Sequence, residues 1–235
     1  MEPSCSPTPS RERLRRAPGR PVDPGKDRVI LAAARALIRA GGPAAVTMER
    51  VAQHAGVSKV TLYRRYANRT ALLEAVVRQR AQRLCRALRA PPVSDADVRA
   101  RLYAFVEALL AFLCGSEHRQ FLRALSGVPQ SPADVQRIWQ LGPATAHAAL
   151  AAFLRAAHAQ QQLHCPDADA AAEQLLGLAM GLDLVRSLYR VPLARQRRVH
   201  RRAHAQQVVD GFLRAYAGGF TAAAVASPGP SAPAG

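Results

Sequence analysis

Three observations predict an all-helical chain. Ala, Leu and Arg are abundant among the 235 residues and aromatics make up only 5%, a composition that favours helices over sheets. Apolar residues recur at helical spacing, and no stretch alternates convincingly as a strand would. The punctuation between apolar runs consists of helix caps and stops, among them Gly41-Gly42-Pro43, Thr47, Gly56, Ser58, Asn68 and Ser94. The expected architecture is a small N-terminal unit of three helices followed by a larger helical domain.

Residues 1–24, rich in Pro, Ser and Arg and without a hydrophobic period, are expected to form a disordered basic arm. The small unit spans 25–70. Its first helix carries Val29, Ala33, Leu37 and Ala40 on one face and ends at Gly41-Gly42-Pro43. Thr47 can cap a second helix that turns Met48, Val51, Ala52 and Ala55 inward. Gly56 then supplies the left-handed residue of a tight turn, and Ser58 caps a third helix over 58–66. A fourth helix, about 69–89, starts near Asn68, runs through Leu72, Leu73, Val76 and Val77, and links the two units until Pro91-Pro92 closes it.

The larger domain covers 71–221. Ser94-Asp-Ala-Asp97 is a good helix start with an acid at the third position, leading into Leu102, Phe105, Val106, Leu109, Leu110 and Leu113. Ser131-Pro132-Ala-Asp134 adds Pro at the first helical position. Further helices are expected over about 117–125, 132–140, 143–160, 168–190 and 193–217. Residues 222–235 look like a disordered tail.

The net charge is +17, which directs attention to a polyanionic partner, although heavy arginine usage can also reflect genome composition. Residues 1–80 hold 16 Lys/Arg against 6 Asp/Glu, so the excess is concentrated toward the N-terminal end. The third helix offers one use for that excess, with an ordinary solvated basic face as the plain alternative. At 100° per residue, Leu62 and Tyr66 fall inward with Val57, and Val60 and Arg64 crown the opposite side. Lys59 and Tyr63 line one flank, Thr61 and Arg65 the other. Three short helices around a tight Gly turn describe a helix-turn-helix, and this outer face suits a major groove, where phosphates need donors and base edges need short polar or bidentate groups.

The segment Thr47–Leu73 resembles the DNA-binding part of the TetR family of bacterial transcriptional regulators. Thr47, Val51-Ala52, Ala55-Gly56-Val57-Ser58, Thr61-Leu62-Tyr63, Tyr66 and Leu72-Leu73 carry the resemblance. It implies that Thr47, Tyr63 and Arg69 anchor phosphates, that Lys59, Val60, Thr61 and Arg64 lie nearest base edges, and that Ser58 and Arg65 belong to the same surface. The stretch Arg15-Arg16-Ala-Pro-Gly-Arg20-Pro resembles basic arms that enter an adjacent minor groove, with a solubilising tail as the plain alternative.

The resemblance further implies a homodimer on a pseudopalindromic double-stranded DNA operator, paired through the last two long helices. Leu175, Leu178, Leu182, Val209 and Phe212 are the candidate interface residues, and an intramolecular core is the other reading open to them. A small-molecule effector would bind among the middle helices. Tyr103, Phe105, Leu109, Phe112, Phe121, Trp139, His147 and Phe153 are candidates, most of them better suited to a core than to a ligand contact.

No catalytic motif is present. The four cysteines form no CxxC pair, and His200 with His204 lack a third ligand, so no metal or other cofactor is expected. No apolar run is long enough to span a membrane, and the expected location is cytoplasmic. The reading is a ligand-responsive transcriptional repressor that is not an enzyme. Its rivals are a non-specific basic nucleic-acid-binding protein and, more remotely, a helical enzyme.

Overall fold

The computed structural model describes residues 24–120, 132–189 and 191–217, and among these all regular structure is helical. The expected arm and tail therefore lie outside the described residues, apart from Pro24. Helix α1 (Pro24–Gly41) has Asp27 in its first turn and Arg39 in its last, as the helix dipole favours. It buries Ile30, Leu31, Ala33, Ala34, Leu37 and Ile38, while Val29 and Ala40 are exposed. The buried stripe is thus rotated from the 29–33–37–40 face. Residues 29–34 are apolar all round, so periodicity alone does not choose a side there.

Helices α2 (Met48–Ala55) and α3 (Lys59–Tyr63) start at the caps expected. Thr47 Oγ1 accepts from the Arg50 amide at 3.2 Å, and Ser58 Oγ accepts from the Thr61 amide at 3.1 Å. Between them Gly56 sits at φ 64°, ψ 32°, the left-handed region a side chain resists. Helix α3 is shorter than 58–66, and residues 64–65 close it as a turn. Helix α4 (Arg69–Leu84) is capped by Asn68, whose Oδ1 accepts from the Ala71 amide at 2.8 Å, and ends in a 3-10 turn over Cys85–Leu88.

Helix α4 serves two cores. Its Leu72 and Val76 join α1, α2 and Leu62 in one buried cluster. Leu84, Cys85 and Leu88 belong to a second, larger cluster. That cluster is built by α5 (Asp95–Leu113), α7 (Pro143–Ala159), α8 (Ala168–Leu188) and α9 (Arg198–Tyr216). Within it α9 lies along α5, and α8 lies along α7. Helix α5 opens with a reciprocal cap: Ser94 Oγ accepts from the Asp97 amide, and Asp97 Oδ2 accepts from the Val93 amide at 3.0 Å. Residues 116–120 are helical; the remainder of the 117–125 helix and Ser131 lie outside the described residues. Helix α6 (Pro132–Leu141) packs on α4 and α7 without fully burying a residue.

The connection between α8 and α9 departs from expectation. Asp167, not singled out from the sequence, caps α8 by accepting from the Asp169 and Ala170 amides. Farther along, Gly181 breaks the helix at φ 47°, ψ −147°, and the Arg195 guanidinium packs 3.3 Å from where a Cβ would stand. Asp183, buried, accepts from the Ala194 and Arg195 amides and pairs with Arg186 at 3.1 Å and Arg195 at 3.0 Å. Burial alone would raise its carboxyl, yet the Ala194 amide and the two guanidiniums hold it below the ordinary range. The chain before α9 is thereby folded onto Asp183, and α9 begins at Arg198 rather than near 193. Among the described residues, no helix is long and apolar enough to cross a membrane.

Candidate nucleic-acid interface

Three short elements present the basic face. Val60 is 71% exposed and Tyr63 47%, and Arg64 beside them is also exposed. An exposed valine at the crown of a helix buried only through Leu62 has no packing reason to be there. The Thr61 hydroxyl is 2.8 Å from that of Ser58, so the cap residue also orients the side chain expected nearest the bases. Lys59 pairs with Glu49 of α2 across 3.4 Å; both are exposed, and the pair joins the two helices of the motif weakly. Thr47 stands at the start of α2, its hydroxyl proton still free to donate. Thr47, Ser58, Lys59, Val60, Thr61, Tyr63 and Arg64 therefore lie on or beside one surface.

Two expected DNA contacts are placed differently. Arg65, read as flanking the outer face, turns inward and pairs with Asp27 of α1 at 2.8 Å, its side chain largely buried. The Tyr66 hydroxyl donates to the other oxygen of the same carboxylate at 3.1 Å. Burial, then the Asp27 charge and that hydrogen bond, push the Tyr66 phenol up to about 12. Asp27 thus clamps the end of the recognition helix against α1. Arg69, read as a phosphate anchor, donates from Nε to the Val46 carbonyl and from Nη2 to the Pro43 carbonyl, both at 2.8 Å. The Pro43 carbonyl also accepts from the Val46 amide at 3.0 Å, and the guanidinium fork ties both carbonyls of the irregular α1–α2 connection to the start of α4. Arg50 does the same for Ala45 at 3.0 Å. Asp27 was not singled out from the sequence, since its partners lie far along the chain.

The expected effector residues scatter. Phe105, Leu109 and Phe153 are buried in the main core, and Tyr103 packs on its edge. Trp139 is 55% exposed on α6, and His147 lies within hydrogen-bonding distance (3.2 Å) of the Asp169 carbonyl. Phe121 lies outside the described residues. Phe112 stands beside a cavity through its contact with His118, at 4.6 Å between ring centroids. That cavity is lined by Leu110, Leu113, Cys114, His118, Met180, Asp183, Leu184, Ser187 and Leu193. Next to His118, Glu117 pairs with Arg39 at the end of α1 (3.8 Å) and with Arg80 of α4, whose guanidinium lies over the Phe112 ring. Glu117, one residue from the cavity wall, therefore ties residues 116–120 to both α1 and α4.

The candidate interface residues divide as well. Leu175, Val209 and Phe212 are fully buried within the chain itself, because the faces of α8 and α9 they occupy meet α5 and α7. Leu178 and Leu182 are exposed, and so are Leu184, Val185, Tyr189 and Val191 after them and Val199 on α9. His204 does not pair with His200; its Nε2 is 3.2 Å from the Ala179 carbonyl.

Residues 30–76 match the profile of bacterial regulatory proteins of the tetR family, and residues 100–218 match the C-terminal domain of AefR-like transcriptional repressors. No curated protein matches the chain. Solved structures share the fold. A TetR-family regulator from Mesorhizobium loti superposes with a TM-score of 0.63 at 22% identity, over 82% of this chain and 97% of that one. A TetR regulator from Agrobacterium tumefaciens gives 0.64 at 24%, over 83% and 95%. The flavonoid-responsive regulator FrrA gives 0.57 at 25%, over 82% and 97%. With a helix-turn-helix whose outer face is left free and both of its domains matched, the chain belongs to the TetR family of DNA-binding bacterial transcriptional regulators.

Proposed function

We propose that the chain represses transcription as a homodimer on a pseudopalindromic operator and releases it when a small molecule binds the larger domain. The observation that carries this reading is the exposed face of α3. Val60, Tyr63 and Arg64 lie exposed on a helix whose end is clamped to α1 by Asp27, with the Thr61 hydroxyl beside them oriented by Ser58. A braced helix with unspent donors suits base reading: Arg64 and Thr61 for base edges, Val60 for a thymine methyl, Tyr63 and Thr47 for phosphates.

Dimerisation is supported by the apolar surface around the Gly181 kink, which has no partner in the chain's own core. Release on effector binding is supported by Glu117, which ties the cavity segment to α1 and α4 at once. Differential binding to two spacings of the recognition helices, with a coupling of about 1–3 kcal/mol, would suffice. FrrA being flavonoid-responsive makes aromatic hydroxyl compounds the first effectors to screen.

The test is fluorescence-anisotropy binding to DNA upstream of the protein's own gene and its divergent neighbour, with unrelated DNA in parallel across a salt series. A preference of several hundredfold for one short inverted repeat supports the reading. Equal affinity for all DNA, vanishing as salt rises, supports a non-specific basic protein instead.

A further inference from the structure

The connection from α8 to α9 carries more positive charge than the protomer neutralises. Residues 184–209 hold seven arginines and no acid. Six of these, Arg186, Arg195, Arg197, Arg198, Arg201 and Arg202, lie among the described residues, and two carboxylates pair with them there. Asp183 takes Arg186 and Arg195, and Glu107 takes Arg198 at 3.8 Å and Arg202 at 2.8 Å. Arg201 donates to the Arg195 and Gln196 carbonyls, and exposed Arg197 has no acidic partner among the described residues. Six guanidiniums against two carboxylates leave a net +4 on each protomer. Arg197, Arg198 and Arg202 are exposed at the opening of α9, whose first turn has no acid. The helix dipole disfavours cations there, so helix stability does not explain them.

We propose that this patch is a second DNA-contacting surface, which grips operator phosphates lying between the two half-sites read by α3. Its place in the fold points there. Helix α9 runs antiparallel to α5: Arg202 meets Glu107 near one end, and Asp210 meets Arg99 at 2.7 Å near the other. The start of α9 therefore lies beside the end of α5, which leads into residues 116–120. There Glu117 pairs with Arg39 of α1 and Arg80 of α4, and the Gln120 carbonyl lies 3.7 Å from where a Cβ on Gly42 would stand. The patch thus occupies the end of the larger domain that meets the DNA-binding unit. Exposed Leu182, Leu184, Val185 and Val199, part of the apolar surface proposed for pairing, are interspersed with it. Pairing through them brings two patches of like charge together near the two-fold axis. Their repulsion is relieved by a polyanion laid across both, and the phosphate backbone of the bound duplex is one. The inference rests on the paired, operator-binding reading and adds to it a contact that carries affinity but no base preference.

The test is fluorescence anisotropy of the full chain on a labelled duplex of about 40 base pairs and unrelated sequence, over about 50 to 200 mM salt. Arg197→Ala with Arg198→Ala removes two exposed cations from each protomer. The slope of log affinity against log salt should fall by about 0.9 for each phosphate given up, about 2–4 in all, and affinity near 0.1 M salt by about tenfold or more. Arg197→Gln alone, which breaks no ion pair, should show about half of that fall in slope. Arg86→Ala with Arg89→Ala removes the same charge from exposed positions at the far end of the larger domain, where α4 ends, and should change the slope little. Sedimentation without DNA should show the Arg197–Arg198 variant pairing at least as tightly as the wild type. Weaker pairing would mean that the partner copy holds these arginines, and overturns the proposal. So does an unchanged slope, or an equal fall in the Arg86–Arg89 variant. Loss of binding by Tyr63→Ala with Arg64→Ala, beside unchanged binding by the Arg197–Arg198 variant, overturns this surface and leaves the helix-turn-helix reading standing. A wild-type chain that binds no duplex overturns both.

Discussion

Leu182→Asp should split the dimer while leaving the protomer folded. Leu182 is 64% exposed, and it follows Gly181 at the kink of α8. Complete burial of a leucine contributes about 1.5–3 kcal/mol, so the exposed part leaves about 1–2 kcal/mol to be gained by each protomer in an interface. A two-fold interface uses the same residue twice, which makes about 2–4 kcal/mol, or roughly a 30- to 1,000-fold rise in dimer dissociation constant. Two carboxylates brought together near the symmetry axis would add to that loss. Sedimentation velocity over a dilution series measures the constant directly. The control is Leu175→Ala, seven residues earlier in the same helix but fully buried. It should cost about 2–5 kcal/mol of stability, read as a lower Tm, with the dissociation constant unchanged well below that Tm. A Leu182→Asp chain that dilutes exactly like the wild type refutes the reasoning. So does dissociation caused by Leu175→Ala alone.

The two arginines at either end of the recognition segment should behave oppositely. Arg64→Ala should leave Tm unchanged and relax base preference by about 1–3 kcal/mol at one operator position, read by anisotropy on substituted operators. Arg69→Ala removes two hydrogen bonds to backbone carbonyls, so it should lower stability by about 1–3 kcal/mol with little change in the salt slope of DNA binding. Asp27→Asn breaks the ion pair to Arg65 and should weaken binding to all sequences alike, because it loosens the helix without touching its reading face. His118 makes stability pH-dependent. Its folded value of about 4 lies below the ordinary 6.5, so the unfolded chain takes up a proton first as pH falls. Stability from this group is complete above pH 6.5 and is lost as pH drops toward 4, about 3 kcal/mol in all. His118→Phe should remove that part of the Tm-against-pH slope; an unchanged slope would show that the acid sensitivity lies elsewhere.

What could be read from the sequence was what is decided within a few residues. Thr47, Ser58, Asn68 and Ser94 cap helices whose acceptor and donor lie three positions apart, and Gly56 takes the only backbone conformation its turn allows. The outward set Val60, Tyr63 and Arg64 followed from helical rotation once Leu62 was taken as buried. Arg65 and Arg69 did not follow, because a guanidinium on a helix surface is drawn either to a phosphate or to whichever protein oxygen the fold brings near. Asp27, Pro43 and Val46 lie 38, 26 and 23 residues before their partners, and no local pattern announces them.

The same limit explains α8. Leu175 and Ala179 face the chain's own core while Leu178 and Leu182 face out, and all four are apolar at helical spacing. A helix buried on one side by its own domain and on the other by a second copy has two apolar faces, and periodicity cannot say which is which. Only the neighbours decide. Leu175 is excluded from an interface because α5 and α7 already cover it, and Leu182 becomes a candidate because nothing in the described chain does. The exposed apolar surface proposed as the interface is therefore a property of the packed protomer, and the Leu175–Leu182 pair of substitutions separates the two faces by their different readouts, Tm for one and dissociation for the other.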